Sequence, residues 1–140
     1  MMRVSERMCR SISCLGPHDD VARAAHLLAQ GGVRAIPVVS RSAIIGLIDE
    51  RDVALARPSP ATTLTIGEIG GRLAQTSIRE ILPEGVIAVG PRTPLTEAIR
   101  LMRARRLAAL PVVRGGEPIG ILTEEELLDL LAEAADDEGP

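Results

Sequence analysis

The chain has 140 residues, 46% of them hydrophobic and 25% charged, with a formal charge of −3 from 16 basic and 19 acidic side chains. That balance gives no electrostatic reason to expect nucleic acid or an anionic membrane as partner. It contains no lysine and no Phe, Tyr or Trp, which excludes a phosphate-loop motif, Schiff-base chemistry and aromatic stacking of a nucleobase.

In chain order, residues 3–8 read as a short lead-in helix. The start MMRVSERMCRS lacks an apolar signal segment and no run reaches the roughly 18 to 20 apolar residues of a membrane span, so a cytoplasmic location is expected. An apolar strand, SISCL, follows and places Cys14 as a small core residue; two cysteines, Cys9 and Cys14, are too few for a disulfide framework. After the Gly16-Pro17 turn, Val21, Ala24, Ala25 and Leu28 fall at helical spacing, with Gly31-Gly32 as the stop. VRAIPVV and IIGLID then form two strands around the polar turn SRSA, and a closing helix begins near Asp49. The Pro- and Gly-rich stretch after Arg57 reads as a connection, residues 58–75.

The same order then returns. TSIREIL (76–82) reads as a second lead-in helix and VIAV as a strand before Gly90-Pro91. Thr93-Pro94 signals a helix start, with Leu95, Ile99 and Met102 on its inner face. LAALPVV, the turn RGGEP, the strand IGILT, a closing helix and a frayed acidic tail at 136–140 complete the chain.

Residues 12–56 superpose on 86–130 at an offset of 74 without a gap, with 11 of 45 positions identical. The chain is therefore an internal repeat, divided as unit 1–57, linker 58–75, unit 76–135 and tail 136–140. Each copy reads β-α-β-β-α and is too small to bury a comfortable core alone. An α/β fold of the α+β kind is expected, its two units packed through their sheets with pseudo-twofold symmetry.

These features resemble the tandem cystathionine-β-synthase (CBS) domain pair, or Bateman module, here standing alone. The resemblance rests on the strand before Gly-Pro, the apolar-x-Ala-apolar-Pro-Val-Val strand, and the endings GLIDERDVALA and GILTEEELLDL, each element present twice. It implies two intertwined units, usually a disc-shaped homodimer, that sense an adenosine compound (AMP, ADP, ATP or S-adenosylmethionine) in clefts between the units. It also implies a regulated protein in another chain, with no required cofactor.

In the family motif an Asp at the start of the closing helix takes the ribose diol, and a Thr or Ser three residues earlier helps hold ribose and phosphate. The first copy keeps Asp52 but has Asp49 in the Thr position; the second keeps Thr123 but has Glu126 in the Asp position. Arg34 matches a position that often faces phosphates, and Ala108 is its counterpart in copy two. The resemblance puts the base of the first site against Ala88, Leu107 and Ala109, and that of the second against Cys14, Val33 and Ala35. A second carboxylate at Asp49 would repel phosphate, so low-charge adenosine ligands, S-adenosylmethionine included, are favoured over ATP.

Structural readings stand beside these. Thr123-x-x-Glu126 is a capping box, and Asp49-x-x-Asp52 suits a helix start with no ligand at all. Arg34 could form an ion pair with Asp49 or with a partner subunit. His18 and His26 read as solvent-facing, Arg100, Arg103, Arg105 and Arg106 as a solvated helix end, and a metal on Cys9, Cys14 and His18 carries little weight. No catalytic constellation can be assembled, so enzymatic activity is not expected. Two alternatives to a sensor remain: a ligand-independent dimeric interaction scaffold with degenerate sites, and a thiol-based regulator.

Overall fold

A computed structural model of the chain describes residues 1–31, 33–57 and 64–137. It divides into two compact units, one formed by Ser13–Val86 and one by Met1–Ile12 together with Ile87–Pro140. The repeat boundaries 1–57 and 76–135 count along the chain, whereas the compact units exchange the lead-in segments. Residues 1–12 belong with the second copy, and residues 76–86 with the first.

The exchange is built from backbone hydrogen bonds that recur at the repeat offset. In the first-copy unit, Val21 N–H donates to Thr76 O (2.9 Å), Ile78 N–H to Asp19 O (2.8 Å) and Arg79 N–H to Pro17 O (2.9 Å). In the second-copy unit the equivalents are Leu95 N–H to Met2 O (2.9 Å), Val4 N–H to Thr93 O (2.9 Å) and Ser5 N–H to Pro91 O (3.0 Å). Each lead-in thus satisfies backbone groups that the turn and helix start would otherwise leave unpaired.

The first-copy unit contains α1 (Val21–Leu28), β1 (Ala35–Ser40), β2 (Ala43–Asp49), α2 (Glu50–Ala56), α3 (Ile66–Gln75) and α4 (Ile78–Ile81). Helix α1 starts where Asp20 accepts from Arg23 N–H (2.8 Å), and it ends at Leu28, three residues before Gly31; Gly32 lies outside the described residues. Helix α3 occupies the second part of the stretch read as a connection, of which 58–63 lie outside the described residues; it buries Leu73 against the core. Ile36, Val38, Ile48, Val53 and Ile78 are the centre of that core, each at most 2% exposed. Burying one such aliphatic side chain contributes about 1.5–3 kcal/mol.

The second-copy unit repeats this plan with a 3₁₀ turn at Val4–Glu6, then α5 (Leu95–Arg105), β3 (Ala109–Arg114), β4 (Glu117–Thr123) and α6 (Glu124–Asp137). Its core gathers Val4, Leu95, Ala98, Leu110, Val112 and Leu122. Thr93 does not cap α5: Pro94 occupies the cap position, and Thr93 Oγ1 instead accepts from Gly90 N–H (3.2 Å) within the Gly-Pro turn. Helix α5 ends on Arg106 in a left-handed conformation (φ 54°). Helix α6 runs through Asp137, two residues into the stretch expected to fray; 138–140 lie outside the described residues.

Each unit has one antiparallel hairpin, β1-β2 and β3-β4, with a register shift at Val38/Val39 and at Val112/Val113. The segments expected as first strands shrink to single parallel bridges, Leu15 to Val38 and Val89 to Val112. A Gly-Pro turn follows Leu15 and Val89 at once and ends the pairing. No helix of the described residues is long and apolar enough to cross a membrane.

Candidate functional site

In the first-copy unit, Asp49 ends β2 opposite Ala35 and caps α2 with extended backbone (φ −121°). Asp49 N–H donates to Asp52 Oδ2 (2.8 Å), and Asp52 N–H donates to Asp49 Oδ1 (3.1 Å). The two carboxylates thus satisfy one orphan donor each, the reciprocity of a capping box. Desolvation raises the Asp52 pKa above the ordinary carboxylate value; the bond from Asp49 N–H opposes this, and the negative charge of Asp49 adds to it.

The ion-pair partner of Asp49 is Arg51, with Nη2 at 3.6 Å from Oδ2 and a side chain 81% exposed. Such an exposed pair is weak. The expected Arg34–Asp49 pair is not found among the described residues, and Arg34 is exposed at the start of the hairpin. The sequence carried one hint of the Arg51 contact, a cation two residues beyond the cap in the first helical turn.

In the second-copy unit Thr123 lies opposite Ala109 and is only 4% exposed. Thr123 N–H donates to Glu126 Oε2 (2.8 Å), and Thr123 Oγ1 also donates to that carboxylate. The capping-box residues are therefore in contact, with Thr123 acting as a double donor to Glu126. Glu124 N–H donates to Ala108 O (3.2 Å), tying the helix start to the strand before it. Three glutamates, 124–126, occupy the first turn of α6; they complement the helix dipole and would oppose an incoming phosphate.

Cys14 is exposed, which corrects its assignment to the core. Its neighbour Leu15 takes the core position, 3% exposed, because adjacent residues of an extended segment face opposite sides. Partial burial of the Cys14 thiol raises its pKa, leaving less thiolate at neutral pH. Val33 and Leu107 are half-buried and pack against the core of their own unit, Ala88 is half-buried, and Ala35 and Ala109 are buried at the hairpin ends. The structure thus brings together Asp49, Asp52 and Ala35 in one unit, and Thr123, Glu126 and Ala109 in the other. His18 and His26 are exposed. No group of three His, Cys, Asp or Glu side chains among the described residues is arranged to hold a metal ion.

The model of the CBS domain matches this sequence twice, over residues 4–59 and 78–133. The chain belongs to the CBS domain family. It is 28% identical over 127 residues to the CBS domain-containing protein YhcV of Bacillus subtilis, covering 91% of this chain and 84% of that one. It is also 28% identical over 126 residues to an inosine-5′-monophosphate dehydrogenase of Korarchaeum cryptofilum, covering 89% of this chain but 23% of the longer enzyme. Among solved structures, that of CBSX2 in complex with AMP matches with a TM-score of 0.77 at 21% identity, over 96% of this chain and 99% of that one. This likeness establishes the fold, a mixed helix-and-strand CBS tandem with one small sheet in each unit.

Proposed function

We propose that this CBS pair is a regulatory module that binds an adenosine-type ligand between its two units and acts on another protein. The observation that carries the reading is the strand-to-helix junction in each copy, where two carboxylates (Asp49 and Asp52) in one and a hydroxyl and a carboxylate (Thr123 and Glu126) in the other gather at a helix start. Asp52 spends Oδ2 on the backbone of Asp49, and a carboxylate offers further lone pairs that suit the paired hydroxyls of a ribose. AMP bound to CBSX2 supports an adenosine ligand for the fold.

In this reading Asp52, Asp49 and Arg34 hold the sugar and phosphate side of a first site, with Ala88, Leu107 and Ala109 against its base. Thr123 and Glu126 serve a second site, with Cys14, Val33 and Ala35 against the base. The carboxylates of Asp49 and Asp52 lie within one cap, which favours AMP, adenosine or S-adenosylmethionine over ATP. The protein works in the cytoplasm as a homodimer, without catalysis and without a nucleic acid or membrane partner. Leu55 of α2 and Leu128 and Leu131 of α6 are 63–86% exposed on the closing helices and offer apolar contacts to a second copy.

The test is thermal melting with AMP, ADP, ATP, adenosine and S-adenosylmethionine, with and without magnesium. Ligand at a hundredfold excess over its Kd adds about 2.7 kcal/mol of stability, a shift of several degrees at this size. One of these ligands should raise the Tm of the protein, and Asp52→Ala should abolish that rise while remaining folded. A panel without any shift would instead favour a ligand-independent dimeric scaffold, and ATP binding tighter than AMP without magnesium would overturn the charge argument.

A further inference from the structure

A second polar feature of the second-copy unit lies at the end of the β3-β4 hairpin opposite Thr123. Within the second-copy unit an open cleft of about 930 Å³ is lined by Arg3, Arg10, Arg92 and Arg114, with Ser5 and Thr93 between them. Its volume falls in the roughly 300 to 1,000 Å³ span of small-molecule sites. We propose that this cleft binds a small molecule carrying two or more phosphate groups.

The exchange of lead-in segments assembles the cluster. Arg3 and Arg10 come from the N-terminal segment, Arg92 from the Gly-Pro turn on which that segment is hydrogen-bonded, and Arg114 from the last position of β3. Arg3 Nη1 donates to Arg92 O (2.9 Å) and Arg10 Nη2 to Ser5 O (3.2 Å). These partners are neutral carbonyls, so they orient two guanidiniums without cancelling their charge. No carboxylate of the described residues lines the cleft. Of the nearby acids along the chain, Glu6 accepts from Arg3 N–H, and Glu117, the cross-strand partner of Arg114, forms no ion pair with it among the described residues. The ion pairs of the described residues, Arg7 with Glu133 and Arg51 with Asp49, involve none of the four arginines.

Four cations gathered without an ion-pair partner among the described residues repel one another, and an anion with several charges relieves that repulsion. Guanidinium forks suit phosphate oxygens bidentately, and the two hydroxyls add donors. With neither an aromatic ring nor a carboxylate in the lining, the recognition is of phosphate and not of a base or a sugar diol.

The internal repeat supplies a built-in comparison. At the offset of 74, the positions of Arg3, Arg10, Arg92 and Arg114 are Ser77, Glu84, His18 and Ser40. The first copy has the same turn and the same lead-in hydrogen bonds, so the backbone frame does not require arginine at any of the four. The cationic lining belongs to the second copy alone. It is also remote from Thr123, since Arg114 with Glu117 and Ala109 with Thr123 are the two ends of one hairpin, about 16 Å apart at ~3.3 Å per residue.

The experiment is isothermal calorimetry of the intact protein with inorganic pyrophosphate, orthophosphate and sodium sulfate in magnesium-free buffer at low ionic strength. Pyrophosphate should bind saturably, one per chain, more tightly than orthophosphate or sulfate, and weaken steeply with added salt. Arg92→Gln with Arg114→Gln should weaken it at least tenfold while leaving the melting temperature near that of the parent, and Asp52→Ala should leave it unchanged. That last arm separates this site from the adenosine site proposed above. Equal affinity in the double variant, equal binding of sulfate, or no saturable heat up to millimolar pyrophosphate would overturn the proposal. So would displacement of pyrophosphate by a short DNA duplex at lower concentration, which would make the patch a nucleic-acid surface.

Discussion

Asp49 and Asp52 cap one helix reciprocally, each accepting the other's backbone N–H at 3.1 and 2.8 Å. The arrangement satisfies two donors but holds two like charges within one turn, inside a partly desolvated junction. The cost appears in Asp52, whose pKa is raised chiefly by desolvation. A carboxyl group with a raised folded-state pKa binds its proton more tightly in the folded protein than in the unfolded chain. Stability therefore rises as pH falls through that pKa, and the ionised form above it is the less favourable one. Asp52→Asn keeps an acceptor for Asp49 N–H and removes the charge. Its Tm relative to the parent should be higher at pH 7 than at pH 4; an advantage that instead grows on acidification would show that the charged form is the stabilised one.

Gly46 and Gly120 are equivalent in the two copies, and each is covered by an exchanged lead-in segment. A Cβ at Gly46 would meet Leu82 Cδ1 at 2.5 Å, whereas one at Gly120 would meet Met8 Sδ at 2.7 Å and the Cys9 carbonyl oxygen at 2.9 Å. The leucine is a side chain able to shift; the Cys9 carbonyl is fixed by its bond from Ile121 N–H (2.9 Å). Overpacking of this kind costs about 1–3 kcal/mol. Gly120→Ala should therefore lower the Tm more than Gly46→Ala. Leu82→Ala should rescue part of the Gly46→Ala loss, giving a double variant better than the sum of the singles. Strict additivity would mean that the Leu82 contact does not limit Gly46.

The repeat, the hairpins and the paired residues Asp49–Asp52 and Thr123–Glu126 are legible in the sequence because each is a local signal: period, turn chemistry and spacing of three, whereas the helix start expected at Thr93 falls to Pro94. Their register at an offset of 74 carries into the structure, down to the shifts after Val38 and Val112. What the sequence did not reveal depends on long-range pairing. Nothing local says that residues 1–12 pack on the second copy, so Arg3 and Arg10 could not be seen to join Arg92 and Arg114. Cys14 departs from its core assignment for a related reason: an apolar run of strand type leaves open which face is inward, and a single bridge at Leu15 decides it. Asp49 pairs with Arg51 on the capped helix itself, and the Arg34–Asp49 pair is not found among the described residues.

Arg7 anchors the N-terminal segment to α6. Its Nη1 donates to Glu133 Oε1 (3.0 Å) and its Nη2 to Glu133 Oε2 (2.6 Å), a bidentate fork. The bond from Arg7 is the main cause holding the Glu133 pKa below its usual value. A lowered carboxylate pKa contributes stability that is present above the unfolded value and lost as pH falls through the folded one, the reverse of Asp52. Glu133 is 55% exposed and Arg7 25%, so salt reaches the pair from the Glu133 side and should screen it. A double-mutant cycle with Arg7→Ala and Glu133→Ala should give favourable coupling in low salt that declines toward zero near 1 M. Coupling that survives high salt would point to packing of the arginine stem instead.

The hairpin turns solve one geometric problem with different residues. Gly115 and Gly116 sit at φ 58° and 84°, while the equivalent Arg41 and Ser42 are held at φ 53° and 65°. Two consecutive positive-φ residues are the requirement of a two-residue turn that matches the strand twist, and it favours Asn-Gly or Gly-Gly. For residues with a Cβ the left-handed region costs roughly 1–2 kcal/mol each, partly offset in glycine by its greater loss of chain entropy. Arg41→Asn with Ser42→Gly should therefore raise stability by up to about 1 kcal/mol by these balances, read as an upward shift in the urea midpoint with unchanged slope. The reciprocal change, Gly115→Arg with Gly116→Ser, should lower it by a similar amount. If the Asn-Gly variant were less stable than the parent, side-chain contacts of Arg41 or Ser42 would outweigh the strain of their backbone.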